Sequence, residues 1–480
     1  MSFTLPEVLL PVIPSLTSLI ELVEAQLSKP VDAAAAEHAS FERCLRERTM
    51  AMEREVHAIV LGRLDEPTEG LVVNGVRYRP AGKAPLQVLT MAGEVSVSRT
   101  VYRARGSSDA PTVGLVDLHL RLVDGRTTLA TAELLTAFLG SVTPTTASSL
   151  LAQTGTLSVS KSSLDRLAKR VHDKWEPKRA SFEEQVRVDE LRTEVDRLDV
   201  EQIVVSLDGV MVRMKDAPNT PGALKTDDGP HGHQEASSGV VALYGPNLAR
   251  LKTTGYARMP ESKKGILTEQ LQGELHAAMT RYPKARVVYL ADAASENWRI
   301  INALQAATRP SDFVMVNDYY HAAEHLAAGL TASGANQSII KKWKDRLCEP
   351  GGADACVAEL MRRSRMLSVK RSPARMKAVM SEVTYFNNHR DRMDYARYLR
   401  QNIPIGSGVQ EAACKTYVAL RHKQSGMSWG TRGGQAILTL RALWLSGRFA
   451  YAWRRIASAL QVDFQLDTSR RRLNAAQLAA

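Results

Sequence analysis

Cysteine is scarce. The four in 480 residues, Cys44, Cys348, Cys356 and Cys414, form no CxxC pair, which speaks against a zinc finger and against a disulfide framework. A reducing compartment, the cytoplasm, is expected. Long apolar runs are also missing: Leu5 to Leu27 is interrupted by Pro6, Pro11, Pro14 and three glutamates. With no basic segment ahead of it, neither a membrane span nor a signal peptide is expected. Negative charge is in deficit, 51 Asp and Glu against 63 Lys and Arg, for a formal net charge of +12. That balance points to a polyanionic partner, because clustered cations gain affinity for phosphates by releasing counterions, although solubility alone would also account for it. No internal repeat is found.

What is present suggests several modules, since 480 residues with 44% hydrophobic content exceed one ordinary domain. Residues 1–68 read as a helical head. Residues 69–110 read as a small basic β-hairpin module, from the Asn74-Gly75 turn and the alternating run Glu94 to Arg103. Residues 111–199 are helical, and 145–171 have the spacing of a helix-turn-helix. There Leu150 and Leu151 would pack the first helix, Gly155 would permit the turn, and Val159, Leu164 and Leu167 would anchor the second helix behind a Ser160 N-cap. Lys161, Ser162, Arg166, Lys169 and Arg170 would then face outward, toward DNA or simply toward solvent. Strands are expected at Gln202–Met214, Gly239–Tyr244, Thr253–Met259, Ala285–Ala291 and Asp312–Val316, with an exposed loop from Lys215 to Ser238. This α/β segment, 200–321, is followed by a basic all-helical segment, 322–400, that includes Lys341 and Lys342. A final segment, 401–460, and a poorly ordered tail, 461–480, complete the chain.

Two acids stand out. Asp208 follows Ile203 to Leu207, and Asp292 follows Val287 to Ala291. A carboxylate inside or at the end of an apolar strand must be compensated, by a basic partner or by a cation. Open α/β sheets place ligands beyond such strand ends. Hard Mg²⁺ prefers carboxylate oxygens, and a two-ion site needs a third acid. Glu411 fits, in the first turn of a helix expected at Glu411–Leu420 after Gly406-Ser407-Gly408, with Lys415, Arg421, His422 and Lys423 nearby. By itself Glu411 is equally a helix-dipole charge paired with Lys415.

The stretch Ile403 to Trp444, IPIGSGVQEAACKTYVALRHKQSGMSWGTRGGQAILTLRALW, closely resembles the C-terminal signature of bacterial insertion-sequence transposases of the ISKra type, which are Mutator-like DDE transposases. Leu207-Asp208-Gly209-Val210, Ala291-Asp292-Ala293-Ala294 and the run Asp318 to Leu326 match further pieces, although Ala293 stands where the family pattern leads one to expect Gly. The resemblance implies an α/β fold: an RNase H-like mixed sheet flanked by helices with an all-α insertion, plus N-terminal helical and small β/helix-turn-helix modules. It implies that Asp208, Asp292 and Glu411 are the metal-binding catalytic acids, with Asp318 and His321 auxiliary. Two Mg²⁺ ions per site, with Mn²⁺ as a substitute, would serve cleavage and strand transfer. Transposon-end and target DNA would be the partners, with Lys161, Arg166, Lys169, Arg170, Lys341, Lys342, Lys415, Arg421 and Lys423 contacting phosphates. A homodimer or larger assembly on DNA is implied, in a bacterial, nucleoid-associated setting away from membranes. Two alternatives compete. One is a transposase-derived DNA-binding protein that no longer cuts. The other is a zinc hydrolase, because His321 to His325 spells H-x-x-E-H.

Overall fold

The computed structural model describes residues 5–66, 68–104, 112–155, 157–193, 198–215, 232–369 and 372–466. The chain is mixed α/β and divides into two units, Met1–Arg179 with Ala450–Ala480, and Ala180–Phe449. The tail beyond residue 466, expected to be poorly ordered, lies outside the described residues, as do residues 216–231 of the expected loop.

In the first unit the N-terminal prolines do not break the helix as expected. Pro6 precedes a 3₁₀ turn, Glu7–Val12, that contains Pro11, and Pro14 lies in the first turn of the helix Ile13–Leu27. There a missing N–H costs no hydrogen bond. The stretch Glu7–Leu27 is therefore long and apolar enough, by length and composition, to cross a membrane. It lies along the helix His38–Arg63, to which Ser15 and Ser18 are tied by Glu55 and Arg48. Asn74 and Gly75 both take positive φ, the conformation a two-residue hairpin requires, and join β1 (Leu71–Val73) to β2 (Val76–Thr90). β3 (Gly93–Ala104) alternates as its sequence does, burying Val95 and Val97 against Leu61 of the long helix. β4 (Val113–Gly114) and the C-terminal strand Phe464–Leu466 complete a five-stranded sheet, the latter pairing antiparallel with β1.

The helices Pro144–Gln153 and Lys161–Trp175 occupy the segment expected to hold two helices. Gly155 turns with φ +64°, and the Ser160 hydroxyl accepts the Ser163 N–H at 3.2 Å as N-cap. Leu151, Val159, Leu164 and Leu167 are buried, whereas Leu150 is exposed, which corrects its expected packing role.

The second unit is built on a five-stranded sheet in the order β7-β6-β5-β8-β9: β5 (Gln202–Arg213), β6 (His233–Tyr244), β7 (Arg250–Arg258), β8 (Arg286–Ala291) and β9 (Phe313–Asn317). β5, β6 and β7 form an antiparallel meander, and β8 and β9 run parallel to β5. β6 begins at His233, six residues before the expected start, because its first half is polar and hidden from an apolar-run criterion. Alternate residues serve opposite faces. Ile203, Val205, Leu207, Val287 and Tyr289 pack on the helices Gly265–Arg281 and Ser295–Thr308, and Val204, Val288, Leu290 and Val316 pack on the helical segment that follows β9. That segment runs through the helices Tyr319–Ala332, Gln337–Leu347, Gly352–Val369, Pro373–His389 and Tyr395–Arg400. The expected single helix after Ser407 is three pieces, Gly408–Ala413, a π-type turn Cys414–Ala419 and Leu420–His422.

Candidate active site

Register brings the first two acids together. Ser206 of β5 pairs with Leu290 of β8 in parallel, so Asp208, two residues on within β5, and Asp292, one residue past the end of β8, come close enough for their charges to interact. Asp208 is half-buried, and its Oδ1 accepts the Gly209 N–H at 2.7 Å. Burial raises its carboxyl above the usual range. The Gly209 N–H works against that rise, the neighbouring Asp292 adds to it, and His321 and the Cys414 thiol oppose it. Two neighbouring carboxylates repel unless a cation lies between them or one stays protonated.

Asp292 is oriented by one edge only. Its Oδ1 accepts the Ala294 N–H at 3.1 Å and the Asn297 amide at 2.8 Å, while Oδ2 accepts no hydrogen bond among the described residues. The Trp298 indole N–H binds the Asp292 carbonyl at 2.7 Å and anchors the strand end to the next helix.

Glu411 is exposed in the first turn of Gly408–Ala413, and its carboxylate makes no hydrogen bond or ion pair among the described residues, so the expected pairing with Lys415 is not formed. Its helix nevertheless reaches Asp208: one turn on, Cys414 Sγ donates to Asp208 Oδ2 at 3.7 Å, and the Gln410 amide donates to the Ser238 carbonyl at 3.1 Å. Burial, reinforced by the Asp208 charge, pushes the Cys414 thiol up to about 12, so it remains a protonated donor. Among the described residues no group of three or more His, Cys, Asp or Glu side chains is assembled closely enough to hold a metal ion. Asp208 and Asp292 form a pair suited to a hard cation, and Glu411 stands outside it.

Asp318 is fully buried and has a positioning role. It caps the helix Tyr319–Ala332 through the His321 N–H at 2.8 Å and also accepts the Ser407 N–H. With the Tyr319 N–H bound to the Ile405 carbonyl at 2.8 Å, this ties the turn before Glu411 to the end of β9. His321 is exposed and lies 3.8 Å from Glu324. His325 points elsewhere: its Nδ1 lies 2.7 Å from Glu382, and its ring stacks on Tyr385 at 3.7 Å. The two histidines of H-x-x-E-H thus engage different partners.

Tyr385, from the helical segment, is a neighbour of the site that sequence reasoning missed. Its hydroxyl accepts the Asn317 amide at 3.0 Å, and burial together with the nearby Asp292 and Asp318 charges pushes it up to about 12. Cys414, Asn297, Glu235 and Lys264 were missed too; only Cys414, three residues after Glu411 on one helix, carried a sequence signal.

Of the expected phosphate contacts, Lys161, Arg166, Arg170, Lys341, Lys342, Lys415 and Lys423 are exposed. Lys169 is partly exposed and paired with Asp165 at 2.6 Å. Arg421 is corrected: it is 2% exposed, with its guanidinium over the Trp429 ring at 5.3 Å. It packs inside the fold. The His422 ring beside it stacks on Trp429 at 4.1 Å, and burial, helped by the Arg421 charge, lowers it to about 3, so it stays neutral.

No protein-family model, no curated protein and no solved structure matches the chain.

Proposed function

We propose that the protein is a DNA transposase of the Mutator-like DDE kind, with an RNase H-like core in its second unit, acting on the ends of an insertion sequence. The observation that carries this reading is the close placement of Asp208, within β5, and Asp292, just past the end of the parallel β8, in a sheet whose order and directions suit an RNase H-like core. The resemblance of Ile403 to Trp444 to transposase sequences supports it, as does the net charge of +12.

In this reading Asp208 and Asp292 would hold Mg²⁺, or Mn²⁺ in its place. Glu411, whose carboxylate makes no hydrogen bond or ion pair among the described residues, would supply the third acid. Two bound divalent cations would lower the pKa of an attacking water and clamp the attacking and leaving oxygens of an in-line phosphoryl displacement. The chain's own residues fix this geometry. Gly209 and Cys414 aim Asp208, Asn297 and Ala294 aim Asp292, and Asp318 anchors the turn that delivers Glu411. Water opens the phosphodiester at the element's end. The freed 3′-OH then replaces water as nucleophile at the target, and a 3′-oxygen leaves with each new bond formed. The exposed face of Lys161–Trp175 grips the DNA backbone through Lys161, Arg166 and Arg170, and a homodimer or larger assembly brings two ends together in the bacterial cytoplasm.

Incubating the full chain with Mg²⁺ and DNA carrying the element's own ends tests the reading. Cleavage is expected to fall about 10³-fold or more in Asp208→Ala, with DNA binding retained. Unchanged cleavage in that variant would remove Asp208 from the chemistry.

A further inference from the structure

Lys264 lies outside everything the sequence drew attention to. It is 7% exposed, and its ammonium lies 2.7 Å from Glu235 Oε1 and 3.3 Å from Asn297 Oδ1. Each contact leads to one of the two acid-bearing strands. Glu235 on β6 lies directly over Gly209: a Cβ built there would stand 1.8 Å from the same Oε1 that Lys264 holds. Asn297, 2% exposed, passes the other contact on by donating its amide to Asp292 Oδ1 at 2.8 Å.

The direction of the Asn297 amide matters. With Oδ1 accepting from an ammonium, Nδ2 must face Asp292 as a donor; reversed, two oxygens would oppose each other. The ammonium therefore selects the orientation that lets Asn297 hold the carboxylate. The backbone is arranged to deliver it. Lys263 and Lys264 have φ +52° and +49°, consecutive left-handed residues that are not glycine. Their loop is held from two sides, by Arg299 donating to the Lys263 carbonyl at 2.9 Å and by Glu261 accepting the Leu267 N–H at 3.0 Å.

We infer that Lys264 is a positioning residue that braces both acid-bearing strands, setting the Asp292 carboxylate through Asn297 and seating Glu235 against Gly209 beside Asp208. The inference rests on the reading of Asp208 and Asp292 as metal ligands. Partners behind a metal ligand characteristically cost 10–100-fold in metal affinity when removed.

The test is calorimetric titration of the full chain with Mn²⁺ in the absence of DNA, with a thermal melt of each variant alongside. Lys264→Met is expected to bind Mn²⁺ about 10-fold to 100-fold more weakly than the parent, and Asn297→Ala to lose a similar factor. The double variant should lose less than the product of the two single losses, because part of the Lys264 effect runs through Asn297, and exceed Asn297→Ala only by the part that runs through Glu235. A Lys264→Met protein that melts lower yet binds Mn²⁺ as the parent does would show mere structural support and overturn the inference. If Lys264→Met fails to fold, undiminished Mn²⁺ binding by Asn297→Ala overturns it equally. A parent chain that binds no Mn²⁺ would instead sink the metal-ligand reading, and this inference with it.

Discussion

Gly209 shows how much one missing side chain can control. Its Cα face is occupied by the Glu235 carboxylate, at the position where a Cβ would stand. Gly209→Ala is expected to fold, because the displaced atoms belong to a flexible side chain. It should nevertheless push Glu235 off Lys264 and weaken Mn²⁺ binding about tenfold, as read by titration; parental affinity would disconnect Glu235 from the site. Cys414 offers a second check at this scale. With its thiol raised to about 12 and buried, it should resist alkylation at pH 8 while the partly exposed Cys44 reacts, as read by mass spectrometry of the labelled peptides. Single residues were also where the sequence misled. Arg421 carries the same formal charge as Lys423, yet one stacks inside the fold and the other faces water. Residue type alone does not report burial.

Among elements, the strands were legible where the chemistry was. The continuous apolar runs of β5 and β8 mark strands covered on both faces, and the acids that follow those runs, Asp208 within β5 and Asp292 just past β8, could be placed before any coordinates. The polar start of β6, and the contacts of Lys264, Asn297 and Tyr385 with the acids, depend on partners distant in sequence and leave no local periodicity. The buried ion cluster of the second unit is equally hidden. Arg448, 5% exposed, pairs with Glu190 at 2.6 Å and Glu274 at 2.7 Å, joining the turn after the helix Thr431–Leu445 to Arg179–Thr193 and Gly265–Arg281. Burial alone would raise Glu274, but the Arg448 guanidinium prevails and lowers it to about 2. Because the folded value lies below the ordinary one, the stabilisation is complete above about pH 4.5 and is lost as pH falls through about 2. Arg448→Met should cost about 3–5 kcal/mol by removing the ion-pair partner of the buried Glu274 and one of the two basic partners of Glu190, which keeps Lys252 at 2.9 Å. The variant's stability should also no longer fall as the parent's does between those pH values, in denaturant melts followed by circular dichroism. An identical pH slope in both proteins would contradict the assignment.

For the whole molecule, the formal charge of +12 becomes a statement about DNA only if the exposed cations of Lys161–Trp175 touch phosphates. Under that proposal Lys161→Ala and Arg170→Ala should each weaken binding to all sequences alike and reduce the slope of log affinity against log salt by about 1, with the fold unaffected. A slope equal to the parent's would move the DNA contacts elsewhere.

The pairing of β1 with Phe464–Leu466 also has a temporal side. Val73 meets Phe464 across a separation on the order of 390 residues. At roughly 5–20 residues per second of synthesis, about 20–80 s pass between the two leaving the ribosome. Throughout that interval the outer edge of β1 has no strand beside it, and the equivalent edge of a neighbouring nascent chain on the same messenger is the nearest substitute.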